Sequence, residues 1–130
     1  MVYVLIDDLG FNDNWDRSPD IIWPNVAQLA KEGLSLETFY TQPLCTPTRG
    51  ALMSGRWPAR LGLNDGVIAG GMNYGLPLHE LTLPQKLKAV GYNCYGVGKW
   101  HCKYHTRHWR HFPPWLAHLC EFRLEWPRFQ

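Results

Sequence analysis

Val2-Tyr3-Val4-Leu5-Ile6, followed at once by Asp7-Asp8, is the segment that carries the strongest indication of a fold class. The run is apolar without alternation, which favours a strand that is buried on both faces of a mostly parallel sheet. Ligands of open α/β sheets bind at the carboxyl ends of the strands. The stretch therefore predicts an interior strand with two carboxylates at the ligand-binding edge.

Downstream patterns extend this start into an alternating α/β order. Helices are predicted where an apolar period follows a proline or a capping box and ends at a glycine, and strands where apolar residues run on between turn signals. The predicted helices are Pro24–Gly33, Thr46–Ser54 and Thr82–Val90, the predicted strands are Leu34–Tyr40 and Tyr92–Trp100, and residues 61–78 are a long loop. This order favours a parallel sheet with flanking helices over an all-β protein or a bundle.

Composition limits the classes of protein that fit. The chain has 130 residues, 45% of them hydrophobic and 18% charged, which suits one ordinary globular domain at most. A net charge of +2 is too small to predict nucleic-acid or membrane-surface binding. No apolar run reaches the ~18–20 residues of a membrane span. The spacing of the four cysteines leaves the redox compartment undetermined.

A change of composition near residue 102 predicts a boundary. Residues 1–100 hold eight basic and nine acidic residues, whereas residues 101–130 hold five basic and two acidic residues and five of the six histidines. We expect residues 1–101 to form the domain and residues 102–130 to be a divergent, poorly packed tail. The histidines of the tail have no accompanying cysteine pattern for a zinc site. Its basic and aromatic residues carry too little positive charge to predict specific nucleic-acid binding.

Asp7 and Asp8 form the first candidate site. Adjacent carboxylates repel each other unless a cation neutralises them, and Ca²⁺ or Mg²⁺ takes carboxylate oxygens readily. Neighbours in a strand point to opposite faces, so both side chains reach one ion only if the strand has ended, as Leu9-Gly10 suggests. A solvated turn or a helix cap explains the doublet as well.

Cys45 to Arg49 and Gly98 to His101 form the second and third candidates. A cysteine at a helix N-terminus with an arginine four residues on lies where anions bind and thiols are activated. Lys99 and His101 share one face of an extended strand, which would make an anion clamp beside a proton carrier. A buried structural cysteine and a solvated strand remain the alternatives.

Together these motifs resemble the type I sulfatase family. Cys45-Thr46-Pro47-Thr48-Arg49, with Met53-Ser54-Gly55-Arg56 after it, is similar to the first sulfatase signature, and Val97-Gly98-Lys99-Trp100-His101 is similar to the second. Asp7-Asp8-Leu9-Gly10 matches the aspartate pair near the start of the family. Tyr40-Thr41-Gln42-Pro43-Leu44 looks most like the arylsulfatase B branch. The resemblance spans residues 2–101.

The resemblance implies a fold and a chemistry. The fold would be a partial parallel sheet of the alkaline phosphatase superfamily, truncated after the second signature. Cys45 would be oxidised to formylglycine by a formylglycine-generating enzyme that reads Cys45 to Arg49. The reaction would be hydrolysis of aryl or sugar sulfate esters, and the substrate a sulfated small molecule or glycan. The implied ligands of Ca²⁺ are Asp7, Asp8 and Cys45, and the implied catalytic residues are Cys45, Arg49, Lys99 and His101.

The sequence also departs from the family. After His101 the usual continuation is missing, and the family's remaining calcium, histidine and lysine residues have no counterpart here. We therefore expect the 130-residue chain to be weakly active or inactive. A phosphate or phosphonate ester hydrolase, a non-enzymatic remnant and a nucleic-acid-binding module stay as alternatives. No signal peptide is recognisable, and a lysosomal or secreted location is expected only of full-length relatives.

Overall fold

A computed structural model of the chain describes residues 1–69, 72 and 74–102. These residues fall into two units, Met1–Thr41 and a second that begins at Gln42. The helices are α1 (Pro24–Glu32) in the first unit and α2 (Cys45–Ser54) and α3 (Leu83–Ala89) in the second, with a 3₁₀ turn at Pro58–Leu61. Predictions for the tail beyond Cys102 lie outside the described residues.

All three predicted helices are confirmed, with ends set by the expected residues. Helix α1 begins at a proline, whose missing N–H costs nothing at that position, and ends before Gly33. Helix α3 begins after the capping box of Thr82 and Gln85, in which the Thr82 amide donates to Gln85 Oε1 at 2.6 Å. The sequence pattern did not predict the 3₁₀ turn.

The predicted sheet is not formed in the described part of the chain, which contains no strand. Val2–Ile6 forms no strand and is largely exposed, with Val2 at 89% and Val4 at 76% of full accessibility, so the prediction of an interior strand is wrong here. Residues 34–40 are interrupted by a turn at Glu37-Thr38. Residues 92–100 contain Gly98 at a φ of 108°, which breaks the extended course. An interior parallel strand needs neighbours that accept and donate along both edges, and residues 1–69, 72 and 74–102 supply none.

The core of the second unit lies between α2 and the segment after the 3₁₀ turn. Leu61, Leu63 and Ile68 are its buried apolar side chains, with Tyr74 and Leu76 packed against them. Gly50 of α2 allows this contact, because a Cβ built at residue 50 would lie 2.7 Å from Leu63 Cδ1. Helix α2 contacts both the 3₁₀ turn and α3.

The end of α2 is fixed by its last residues. Ser54 Oγ donates to the carbonyl of Gly50 at 2.7 Å, and Gly55 adopts the left-handed conformation at a φ of 68°. Its amide donates to the carbonyl of Ala51 at 2.8 Å. This is the usual glycine stop, since a side chain there would be strained. None of the helices in the described residues is long and apolar enough to cross a membrane.

Leu63→Ala is expected to lower the free energy of unfolding by about 2–5 kcal/mol, because it opens a cavity in a core of very few side chains. Denaturation by urea, followed by circular dichroism, measures the change. Leu29→Ala is the matched control: Leu29 lies on α1 and is 68% exposed, so its truncation should cost less than about 0.5 kcal/mol. Equal losses in the two variants would show that Leu63 is not part of the core.

Candidate active site at the start of the second helix

Helix α2 begins with Cys45, whose side chain is half-buried. Leu44 precedes it in an extended conformation and offers no side-chain cap to the helix. Pro47 fits the first turn because that position has no intrahelical partner for an N–H. The sulfur of Cys45 therefore lies at the N-terminus of a ten-residue helix, a setting that favours negative charge.

Lys99 lies next to this cysteine despite the distance between them in sequence. Lys99 Nζ is 3.2 Å from Cys45 Sγ, within hydrogen-bond distance of a sulfur atom. The ammonium group adds a full positive charge to the partial charge of the helix terminus. An anion or an oxygen-bearing group at residue 45 would meet two favourable electrostatic contacts.

Arg49 holds the backbone that carries Lys99. Its guanidinium Nη1 donates to the carbonyl of Lys99, and the residue is only 8% exposed. Because Arg49 lies one helical turn after Cys45, this bond sets residue 99 beside the first turn of α2. The arginine thus positions the lysine through the main chain.

Thr46, Ile68 and His101 form a closed ring of hydrogen bonds, here called the Thr46 ring. Thr46 Oγ1 donates to the carbonyl of His101 at 3.0 Å and accepts the amide of Ile68 at 3.0 Å. His101 Nε2 lies 3.1 Å from the carbonyl of Ile68. Thr46 has no solvent-accessible surface. The ring ties the start of α2 to two distant segments of the chain.

His101 has two unusual features. Its φ is 50°, in the left-handed region that side chains seldom occupy. Its Nδ1 atom is buried and has no hydrogen-bond partner among the described residues. Leaving such an atom unsatisfied costs about 1–3 kcal/mol, so a ligand or reacting group that bonds to Nδ1 would be stabilised there.

The strand expectation for Lys99 and His101 is therefore wrong in its geometry. The sequence pattern predicts two side chains on one face of an extended strand. Because the backbone of His101 has a left-handed conformation, the two polar groups contact different partners. The ammonium group of Lys99 contacts Cys45, and the imidazole of His101 contacts the carbonyl of Ile68. Both residues nevertheless contact the first turn of α2, Lys99 through its ammonium group and His101 through its carbonyl.

Asp7 and Asp8 lie in the first unit, and both are exposed. The backbone bends at these residues, and Asp8 has a φ of 53°. The two carboxylates thus do not continue a strand, which is the condition under which neighbouring aspartates can bind one cation. Two hard carboxylate groups fit Ca²⁺ by donor type.

Three groups near this site were missed from sequence. Thr46 was only a variable position between motif residues, and the backbone of Ile68 carries no sequence signal. Cys102 was placed in the tail, yet burial raises the pKa of its thiol to about 11, against the opposing charge of Arg49. Its carbonyl accepts the amide of Leu76 at 3.2 Å. A short polar residue directly after Cys45 was the available clue to Thr46.

Comparison with known proteins identifies the family of this chain. The sulfatase family model matches residues 1–114. The chain belongs to the sulfatase family, whose members have an α/β fold. It is 40% identical to arylsulfatase J of Mus musculus over 107 residues, which cover 82% of this chain and 18% of that protein.

Two further relatives support the same assignment. Identity is 43% over 103 residues to arylsulfatase A of Homo sapiens, covering 78% of this chain and 20% of that protein. It is 37% over 110 residues to N-acetylgalactosamine-6-sulfatase of Homo sapiens, covering 78% and 21%. The chain thus spans about a fifth of the length of these curated relatives. No solved structure matches.

The buried thiol of Cys102 is expected to make stability fall between pH 9 and 11. The unfolded chain loses this proton near the ordinary pKa of 9.0, whereas the folded chain keeps it until about 11, so rising pH favours unfolding across that window. The loss attributable to Cys102 is about 2–3 kcal/mol. Urea denaturation at pH 8 and pH 11 under reducing conditions measures it.

Cys102→Ala is the control for all other groups that titrate in the same window. Its free energy of unfolding should fall less than that of the unaltered chain over the same pH range. Identical losses in both proteins would mean that Cys102 ionises equally easily in the folded and unfolded states.

Proposed function

We propose that this chain carries the nucleophile-bearing part of a formylglycine-dependent, calcium-dependent sulfuric ester hydrolase that acts on aryl or sugar sulfate esters. The observation that carries the proposal is the contact between Lys99 Nζ and Cys45 Sγ at 3.2 Å, at the first residue of α2. This contact brings together one residue from each of the two signature motifs. Membership of the sulfatase family supports hydrolysis of a sulfate ester as the reaction.

Cys45 is the proposed precursor of the catalytic residue. An external two-electron oxidant, used by the modifying enzyme, would convert its CH₂–SH group to CH=O, with one oxygen entering and the sulfur leaving as sulfide. Formylglycine, as its hydrate, supplies one hydroxyl that attacks sulfur and a second whose deprotonation expels sulfate. Because Sγ of Cys45 lies beside Lys99, an oxygen on the same carbon would face the ammonium group.

Lys99 and the start of α2 would bind the sulfate group. The ester is an anion, and it gains charge on its leaving oxygen as the bond to sulfur breaks. A fixed ammonium group and a helix N-terminus stabilise such charge most when they are held in place beforehand. Arg49 supplies that support, since it is nearly buried and bonds the carbonyl of Lys99.

His101 would exchange a proton with a hydroxyl at residue 45. An imidazole suits this work because it takes up and releases protons near neutral pH. Its buried Nδ1 is available for such a bond, having no partner among the described residues. The Thr46 ring holds the imidazole while the proton moves.

Asp7 and Asp8 would hold Ca²⁺. The chemistry that the ion supplies is positive charge for an anionic ester. Both carboxylates are exposed at a bend in the backbone, where they are accessible to a cation. Two carboxylates leave most of the ~6–8 oxygen positions of calcium to water, so binding by these residues alone should be weak.

The partner that makes formylglycine would have to read this segment before it folds. Thr46, Pro47 and Arg49 are all buried once α2 is packed. A modifying enzyme that recognises their side chains in an extended conformation cannot reach them in the folded chain. The proposal therefore includes a formylglycine-generating enzyme that acts on the unfolded segment from Cys45 to Arg49.

Treatment with such an enzyme should convert Cys45 in a synthetic peptide of residues 32–56 and in the unfolded chain, but not in the folded chain. Mass spectrometry of the tryptic peptide 32–49 detects the exchange of sulfur for oxygen. Cys94 is a matched internal control, because it is also half-buried but lacks the Thr-Pro-Thr-Arg sequence. Conversion of Cys94, or none of Cys45 in the peptide, would contradict the proposal.

Turnover by the converted chain should be low, dependent on residue 45, and faster with an aryl sulfate than with the matching aryl phosphate. Initial rates with the two esters, compared with those of Cys45→Ala, provide the measurement. Preference for the phosphate ester would favour a phosphate ester hydrolase instead. No turnover by a fully converted chain would leave a non-enzymatic remnant as the better description.

A further inference from the structure

We propose that Thr46 is a positioning residue that fixes the tautomer of His101, so that Nδ1 is the nitrogen that exchanges the proton. The identity of the group that exchanges the proton rests on the proposed function, whereas the tautomer of His101 does not. The carrying observation is the closed set of three contacts in the Thr46 ring.

When the imidazole is neutral, the Thr46 ring allows only one arrangement of its hydrogens. A backbone carbonyl can only accept, so the contact between His101 Nε2 and the carbonyl of Ile68 requires that Nε2 carry a hydrogen. In the neutral imidazole the other nitrogen is then unprotonated. Nδ1 of His101 is therefore the basic atom of the side chain.

Thr46 holds both partners of that contact at once. Its single hydroxyl hydrogen is donated to the carbonyl of His101, and its oxygen accepts the amide of Ile68. The backbone of Ile68 is thus bonded on one side to Thr46 and on the other to the imidazole. Removing the hydroxyl would release Ile68 and the left-handed backbone of His101 together.

The surroundings of Nδ1 indicate why one tautomer of His101 would matter for function. The atom is buried and lacks a partner among the described residues, although the imidazole's other nitrogen is bonded. A threonine that only filled space would not need to bond two separate main-chain segments. The arrangement instead directs all of the proton-accepting capacity of His101 to one buried atom.

The test is the nitrogen-15 chemical shifts of His101 in the full chain, assigned by comparison with His101→Gln. Above the titration range of the imidazole, the unaltered chain should show the Nε2–H tautomer alone. Thr46→Val removes the hydroxyl at nearly constant volume and should bring in detectable Nδ1–H tautomer. Thr46→Ser keeps the oxygen and should restore the single tautomer.

Thr48→Val is the matched control. Thr48 lies on the same helix, and its hydroxyl donates to the carbonyl of Gln42 at 2.9 Å, away from the ring. This variant should leave the tautomer of His101 unchanged. An equal response to Thr48→Val, or no response to Thr46→Val in a folded chain, would overturn the role of Thr46.

The unaltered chain keeps the inference falsifiable if Thr46→Val does not fold. A mixture of tautomers, or the Nδ1–H form, in that chain would refute the assignment directly. The result is also separable from the proposed function. An unconverted Cys45 with a pure Nε2–H histidine would refute only the formylglycine chemistry, whereas conversion with the opposite tautomer would refute only this inference.

Discussion

The site depends on the two hydrogen bonds that the hydroxyl group of Thr46 makes. The hydroxyl is fully buried, and a buried hydroxyl is tolerable only when its hydrogen and its oxygen both find partners. Both do, in segments 22 and 55 residues further along the chain. Because the helix, the loop at Ile68 and the turn at His101 meet at this one oxygen, displacing any one of them leaves a buried group unsatisfied.

The position of Lys99 follows from this arrangement. Its carbonyl is held by Arg49, and two residues later the carbonyl of His101 is held by Thr46. The main chain between them is thus fastened at both ends to the first turn of α2. A long, flexible lysine on an unsupported loop would seldom keep its ammonium 3.2 Å from a given sulfur. These backbone hydrogen bonds help to hold the ammonium group beside the sulfur.

The contrast between helices and strands shows what the sequence could predict. Helix ends depend on groups a few residues apart, and Pro24, Gly55 and the Thr82–Gln85 pair accordingly marked them well. A strand is completed by distant partners, so the apolar run Val2–Ile6 could not specify pairing by itself. In the described residues that run has no neighbouring strand, and all of its residues except the half-buried Leu5 are exposed.

Sequence patterns alone identified the family, the three helices and the candidate site residues, because motif residues and caps are local patterns. They could not determine how His101 is oriented. That depends on a left-handed φ and on the carbonyl of Ile68, a group that every residue possesses and no side-chain pattern identifies. Only the tertiary structure joined Cys45 to Lys99 and set the imidazole against Ile68, since contacts across 54 and 33 residues form when the backbone folds.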